Sequence, residues 1–132
     1  MIEQPRIIEI PKIPDHRGNL SFLENHQLLP FEIQRTYWIY DVPGGKQRGG
    51  HAFKKTNEVI IALSGSLEVK LVLGDEEKRF FLNRSYTGLY VPNMIWRELL
   101  NFSTNSVALI LSSTSYSPSD YISDFDEYQR IS

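Results

Sequence analysis

The chain has no cysteine. Whatever the compartment, that excludes disulfides, thiolate metal sites and a cysteine nucleophile. It also lacks an excess of either charge. Fourteen Lys and Arg against sixteen Asp and Glu leave a formal charge of −2, so the overall balance gives no attraction to nucleic acid, and no Lys/Arg run is dense enough to act as a basic tract. Long apolar runs are missing, and none approaches the ~20 residues of a membrane-spanning helix. The opening MIEQPRIIEIPK puts charges and prolines where a secretory signal needs an apolar centre. A cytoplasmic protein is therefore expected. There is no linker, repeat, low-complexity tract or glycine-rich dinucleotide fingerprint. The 132 residues fit one domain spanning residues 1–132, long enough to bury a core without staples.

What is present is a succession of short apolar stretches cut by turns. RIIEIP (Arg6 to Pro11), a strand from Asn19, IQRTYWIYDV (Ile33 to Val42), NEVIIALS, SLEVKLVL, EEKRFFL, TGLYVP, WRELLNFS and SVALILSST read as strands. The breaks at Asp15–Gly18, PGG, Ser64–Gly65 and Gly74–Asp75 are turn signals. Such spacing predicts an all-β sandwich or barrel. The last segment differs. In SPSDYISDFDEYQR, Ser117 stands at a helix N-cap, Pro118 at the first helical position and Asp120 near the third. A short amphipathic helix packing Tyr121, Ile122, Phe125 and Tyr128 is expected to close the chain.

One stretch carries chemistry. In GKQRGGHAFKKTNEVIIALSG, five residues separate Gly45 from His51, one separates His51 from Phe53, four separate Phe53 from Glu58 and six separate Glu58 from Gly65. This resembles the first signature of the cupin superfamily with its second histidine replaced by Phe53. PNMIWRELLN (Pro92 to Asn101) resembles the second signature with Arg97 in place of its histidine. Two of the four usual metal-ligand positions therefore cannot ligate: a phenyl ring has no lone pair, and a guanidinium stays protonated. One imidazole and one carboxylate are too few for the usual catalytic transition-metal sites, so no metal is expected. Strand alternation puts Phe53 on the face of His51, and Arg35 and Ile39 on the face of Tyr37. A cavity holding His51, Tyr37 and several arginines suits an anionic ligand.

A narrower family is indicated by DHRGNLSFLE, PFEIQRTYWIYDVPGG, RGGHAFKK, LSGSLEVKL, GLYVPNMIWRELLNFS and VALILSSTSYSPSDYISDFDEY, taken in order from about Asp15 to Tyr128. The chain resembles the sugar-nucleotide 3,4-ketoisomerases of the cupin superfamily, the WxcM-like group. The resemblance implies an RmlC-like jelly-roll barrel or sandwich, commonly a homodimer with exchanged N-terminal strands. It implies conversion of dTDP-4-keto-6-deoxy-D-glucose into a dTDP-3-keto-6-deoxyhexose, which then feeds an aminotransferase making a 3-amino sugar for glycan assembly. It also implies that the first histidine, His51, is the acid/base. Several members carry a second histidine where this chain has Phe53.

The reaction is a tautomerisation through an enediol(ate) and requires no redox cofactor. An imidazole that titrates near neutrality can carry the proton from C3 to C4. His51 and Tyr37 are the catalytic candidates. Arg97 and Arg17, with Tyr37, are candidates for stabilising the enediolate. Arg48 is the candidate for the pyrophosphate, since its planar fork matches phosphate oxygens; Lys54 and Lys55 are weaker ones. Trp96, as the neighbour of Arg97, is preferred over Trp38 for stacking on the thymine. Several alternatives stay open. Glu58 either pairs with an arginine or orients His51, Tyr37 is a substrate contact or a core residue, Arg17 serves the site or braces its turn, and Arg35 lines the barrel or joins an internal ion pair. His16 and His26 are expected in solvent. A non-catalytic cupin that binds a nucleotide sugar is the alternative function, and an epimerase, lacking a partner aspartate, a weaker one.

Overall fold

The computed structural model describes residues 3–132. Its strands in chain order are β1 (Arg6–Glu9), β2 (Lys12–Ile13), β3 (Leu20–Ser21), β4 (Arg35–Tyr40), β5 (Arg48–Phe53), β6 (Glu58–Ser64), β7 (Leu67–Leu73), β8 (Glu76–Leu82), β9 (Thr87–Val91), β10 (Trp96–Leu100), β11 (Val107–Ser112) and β12 (Tyr121–Ile122). An α-helix, α1 (Phe125–Ile131), follows. Two antiparallel five-stranded sheets, ordered β1-β9-β6-β11-β4 and β12-β5-β10-β7-β8, form the body, and β2 pairs with β3 in a small hairpin. The all-β double sheet is the one the turn spacing predicts, and a short helix closes the chain as expected, though further along.

Burial explains the strand sequences. β7, LEVKLVL, alternates: Leu67, Val69 and Leu71 are fully buried while Glu68 and Lys70 face outward. β6, EVIIALS, is apolar on both faces because both are covered. Ile60 and Ala62 join the inner core with Leu89, Val91, Leu99, Ala108 and Ile110. Val59 and Ile61 turn outward under Ile8, Ile10, Leu29 and Tyr90. A strand at the centre of a sheet with both sides packed reads as a continuous apolar run.

The chain's end departs from the expected helix. Ser117 makes no side-chain cap, and Pro118–Asp120 is one 3₁₀ turn. Asp120 spends its carboxylate elsewhere. It accepts from the Lys55 N–H at 2.7 Å, the Thr56 N–H at 3.2 Å and the Thr56 hydroxyl. Tyr121 and Ile122 are then captured by the edge of β5, opposite Phe53 and Ala52. The helix begins only after Asp124, which accepts from the Asp126 N–H at 2.9 Å. Ile122, Phe125 and Tyr128 do pack as the apolar pattern suggests, against Ala52, Val72 and Trp96. The Tyr128 hydroxyl pins the helix by donating to the Val72 carbonyl at 2.8 Å and lying 3.0 Å from that of Met94.

Candidate active site

The pairing of β5 with β10 sets His51 directly across from Arg97. Two residues further along β10, Leu99 pairs with Arg48, three residues from His51. β5 thus carries one extra residue, a bulge at Gly49–Gly50. Three residues of regular strand would put Arg48 and His51 on opposite faces; the bulge restores them to the same one. Gly49 makes this possible with φ +70°. A Cβ there would stand 2.5 Å from Nη1 of Arg97, so the glycine serves both the backbone turn and the guanidinium lying against it.

These strands and β4 enclose a cavity of about 670 Å³ lined by Arg35, Tyr37, Trp38, Ile39, Arg48, Gly49, Gly50, His51, Arg97, Tyr116, Tyr121 and Ser123. Of the residues singled out from sequence, His51, Tyr37, Arg48 and Arg97 therefore meet, with Arg35 beside them. The His51 ring packs edge-on to Phe53 at 4.7 Å between centroids and against Tyr121 at 4.9 Å. Its Nε2 is buried and has no hydrogen-bond partner. Burial, then the charges of Arg97 and Arg35, pushes its pKa down to about 3. The expectation of an imidazole titrating near neutrality is corrected here: the ring is held neutral, with a lone pair free.

Behind it sits a buried polar cluster. Arg97 Nε meets Glu58 Oε1 at 2.6 Å, as an ion pair rather than an aligned hydrogen bond, since neither atom has a bonding partner by geometry. Arg97 Nη2 donates to the Tyr37 hydroxyl oxygen at 2.8 Å and reaches Glu58 Oε2 at 3.4 Å. The Tyr37 hydroxyl donates to Glu58 Oε2, and Ser112 Oγ lies 3.4 Å from the same oxygen. Burial first, then the Glu58 carboxylate, raises the Tyr37 pKa against the opposing pull of Arg97, so it stays a phenol. Of the two roles left open for Glu58, the structure shows pairing with an arginine. Arg35 lines the cavity, with its guanidinium over the rings of Tyr37 at 5.2 Å and Tyr116 at 5.5 Å. Nε of Arg35 and Nη1 of Arg97 are buried donors without acceptors. Unmatched buried donors are costly in a folded protein, and an anionic ligand relieves that cost.

Four expected residues, Trp96, Lys54, Lys55 and Arg17, do not line the cavity. Trp96 is 4% exposed on the opposite face of β10, stacked edge-on to Phe125 with its Nε1 donating to Glu98 Oε2 at 2.9 Å. Adjacency to inward-facing Arg97 is itself the reason, because strand neighbours point to opposite faces. Lys54 sits with Lys55, Ser117 and Ser119 around a separate surface depression. Arg17 lies at the tip of the β2–β3 hairpin, 80% exposed, with its Nε on Asp15 at 3.0 Å. Conversely, the cavity wall includes Tyr116, Tyr121 and Ser123, which no motif marks; the helical reading that begins at Ser117 hides Tyr121 and Ser123, and Tyr116 lies just before it. The signal that could have exposed them is Asp124 followed three residues later by Glu127, a stronger capping-box start than Ser117.

An antiparallel double sheet with one imidazole and a buried arginine–carboxylate pair on its inner wall defines a cupin whose cavity presents positive charge. The chain belongs to the family described as FdtA, WxcM-like, C-terminal, whose model matches residues 3–132. It is 37% identical over 125 residues, 95% of this chain and 90% of the other, to a TDP-4-oxo-6-deoxy-alpha-D-glucose-3,4-oxoisomerase of Aneurinibacillus thermoaerophilus. The structure resembles a histidine-to-asparagine variant of the 3,4-ketoisomerase QdtA from Thermoanaerobacterium thermosaccharolyticum, in complex with TDP-4-keto-6-deoxyglucose. That likeness has a TM-score of 0.95 and 36% identity and covers 99% of this chain and 95% of the other. A dTDP-4-dehydrorhamnose 3,5-epimerase from Bacillus anthracis, 16% identical with a TM-score of 0.78 over 89% of this chain and 76% of its own, shares the fold alone.

Proposed function

We propose that the protein is a 3,4-ketoisomerase converting dTDP-4-keto-6-deoxy-D-glucose into a dTDP-3-keto-6-deoxyhexose, with His51 as the base, in the making of 3-amino-3,6-dideoxy sugars. The observation that carries this reading is the free, buried Nε2 of a neutral His51 in a cavity walled by Arg35, Arg48 and Arg97. A neutral imidazole is ready to take the C3 proton, acidified by the C4 ketone, and general base help of this kind is worth ~10²–10⁴-fold. The enediolate that results is met by donors already fixed in place, Nη1 of Arg97 and Nε of Arg35. Arg48 is our assignment for the diphosphate. Neither tryptophan is assigned to the thymine, since Trp38 lies between inward-facing Tyr37 and Ile39 on β4 and is 58% exposed on the outer face. A protein that only bound the nucleotide sugar would need no unbonded imidazole beside these arginines, which favours the enzyme.

The donor set does not fit a metal ion. Glu58 is tied to Arg97, and among the described residues no three His, Cys, Asp or Glu side chains gather to hold one. The protons are assigned to side chains alone.

We also propose a homodimer. Ile13, Leu20 and Phe22 of the hairpin region are exposed, as are Trp38, Tyr40 and Leu63 on the outer face of the first sheet. A second copy covering that face, with N-terminal strands exchanged, would bury them. Arg17 belongs to the same hairpin, so its role in substrate binding is assigned to the dimer.

The test is incubation with dTDP-4-keto-6-deoxyglucose in deuterated water, followed by proton NMR. The 3-keto product with deuterium at C4 is expected. His51→Asn should lose turnover by ~10²-fold or more while still binding dTDP. Unchanged turnover in that variant removes His51 from the mechanism.

A further inference from the structure

We propose that Glu58, acting through Tyr37, is the relay that moves the hydroxyl proton from O3 to O4 while His51 moves the carbon-bound one; this rests on the isomerase reading above. A 3,4-keto shift relocates two hydrogens, one between carbons and one between oxygens. His51 accounts for the first. The second needs a group that can accept from one oxygen and give to its neighbour.

Tyr37 has the right valences for that. Its oxygen accepts from Arg97 Nη2 at 2.8 Å, its hydrogen is committed to Glu58 Oε2, and its side chain lines the cavity. One lone pair remains for a sugar hydroxyl. A phenol that has already given away its hydrogen in a hydrogen bond can take another proton only by passing the first one on. Glu58 is placed to receive it. The carboxylate is 1% exposed and does not line the cavity, so it cannot touch the sugar and acts only through the phenol. It is a positioning and proton-holding residue.

The steps balance. His51 takes the C3 hydrogen as a proton; the C–H pair forms the C3–C4 double bond, and the carbonyl pair moves onto O4 beside Arg97. Tyr37 then takes the proton of O3 as its own passes to Glu58 Oε2. The O3–H pair forms the C3 ketone, and the C3–C4 pair collects the proton held by His51 at C4. Tyr37 gives the proton it received to O4, and Glu58 returns the other to Tyr37. The protein ends as it began. Ser112 Oγ, 3.4 Å from Glu58 Oε2, helps keep that oxygen turned to Tyr37.

The experiment separates the two hydrogens. In deuterated water, loss of the C3 proton signal reports His51, and appearance of 3-keto product reports the complete shift. Glutamine can accept the Tyr37 hydrogen bond but not hold its proton. Glu58→Gln is therefore expected to slow product formation ~10²–10³-fold while slowing C3 exchange less than about tenfold. Tyr37→Phe keeps the Glu58–Arg97 ion pair and should show the same split, which covers the case in which Glu58→Gln does not fold. Equal loss of both readouts in the folded variants, or undiminished product formation, overturns the relay and leaves the isomerase standing. A wild-type protein that neither exchanges C3 hydrogen nor forms product overturns the isomerase reading and the relay with it.

Discussion

Arg97 and Glu58 form an ion pair with side chains 2% and 1% exposed, in the wall behind His51. Each stands at a position that carries a metal ligand in the cupin signatures, and here the two side chains bind each other. Burying both charges is tolerable only because they meet each other and because Tyr37 and Ser112 fill part of the remaining hydrogen-bonding capacity. Removing one partner leaves the other stranded. Arg97→Met is expected to destabilise the fold by about 3–5 kcal/mol, since an unpaired buried carboxylate remains. The double variant Arg97→Met with Glu58→Gln should recover a large part of that loss. Urea unfolding of the two single variants and the double variant measures the coupling, and additive losses would show that the pair does not act as a unit.

Trp96 gives a prediction of the opposite kind. Its indole is packed among Ala52, Val72, Ile122 and Tyr128 under the C-terminal helix. Trp96→Ala is expected to cost about 3–5 kcal/mol of stability. The milder Trp96→Phe should leave dTDP affinity, read by calorimetry, within about twofold, because the ring lies on the far side of β10 from the cavity. Trp38→Ala should also leave dTDP affinity within about twofold and instead weaken the proposed dimer, read by analytical ultracentrifugation, because that ring is 58% exposed on the outer face of the first sheet. Weakened nucleotide binding in Trp96→Phe would count against the assignment.

These two tryptophans show what the sequence could and could not convey. Alternation within a strand is a local property, so the inner faces of β4 and of the end of β5 were legible, and with them the company of His51 and Phe53, or of Tyr37 and Arg35. The same rule condemns Trp96, whose adjacency to Arg97 counts against a shared face. What could not be read depends on partners distant in sequence. The bulge that turns Arg48 toward His51 exists only in the register of β5 against β10. Tyr121 reads as helical until the free edge of β5 and the carboxylate of Asp120, spent on Lys55 and Thr56, are known. The depressed pKa of His51 is set first by its burial and then by guanidinium groups on two other strands, Arg97 and Arg35, neither of which is near it in sequence.

That depression makes stability depend on pH with a definite sign. The folded His51 titrates at about 3, against 6.5 for an ordinary imidazole in the unfolded chain. Between those values the unfolded state binds a proton that the native state refuses, so this residue makes stability rise with pH. Its contribution is whole above about pH 6.5 and declines as the pH falls toward the folded value, with a slope of at most about 1.4 kcal/mol per pH unit, less to the extent that solvent reaches the ring. His51→Asn should flatten that component of the urea-midpoint profile between about pH 4 and 7. Parallel profiles for the two proteins would mean that the ring titrates near its normal value in the fold.

Gly49 tests the cavity's geometry without replacing any charged group. Its φ of +70° disfavours any residue with a Cβ, and that Cβ would stand 2.5 Å from Arg97 Nη1. Gly49→Ala must either straighten the bulge, which turns Arg48 away from His51, or push the guanidinium off its place beside Glu58. The backbone strain alone is expected to cost about 1–2 kcal/mol, leaving a folded protein to assay. Turnover should fall by more than about tenfold, since misplacing a charge-stabilising group by even 1 Å can cost ~10²-fold. Gly50→Ala is the control: a Cβ at Gly50 meets only ordinary contacts, Trp96 at 3.6 Å and Glu98 at 3.9 Å, and the residue is not in the positive-φ region. Steady-state rates for the two variants, compared at matched unfolding midpoints, decide whether the bulge matters to the chemistry. Equal activity would show that the extra residue in β5 is indifferent to the placement of Arg48 and Arg97.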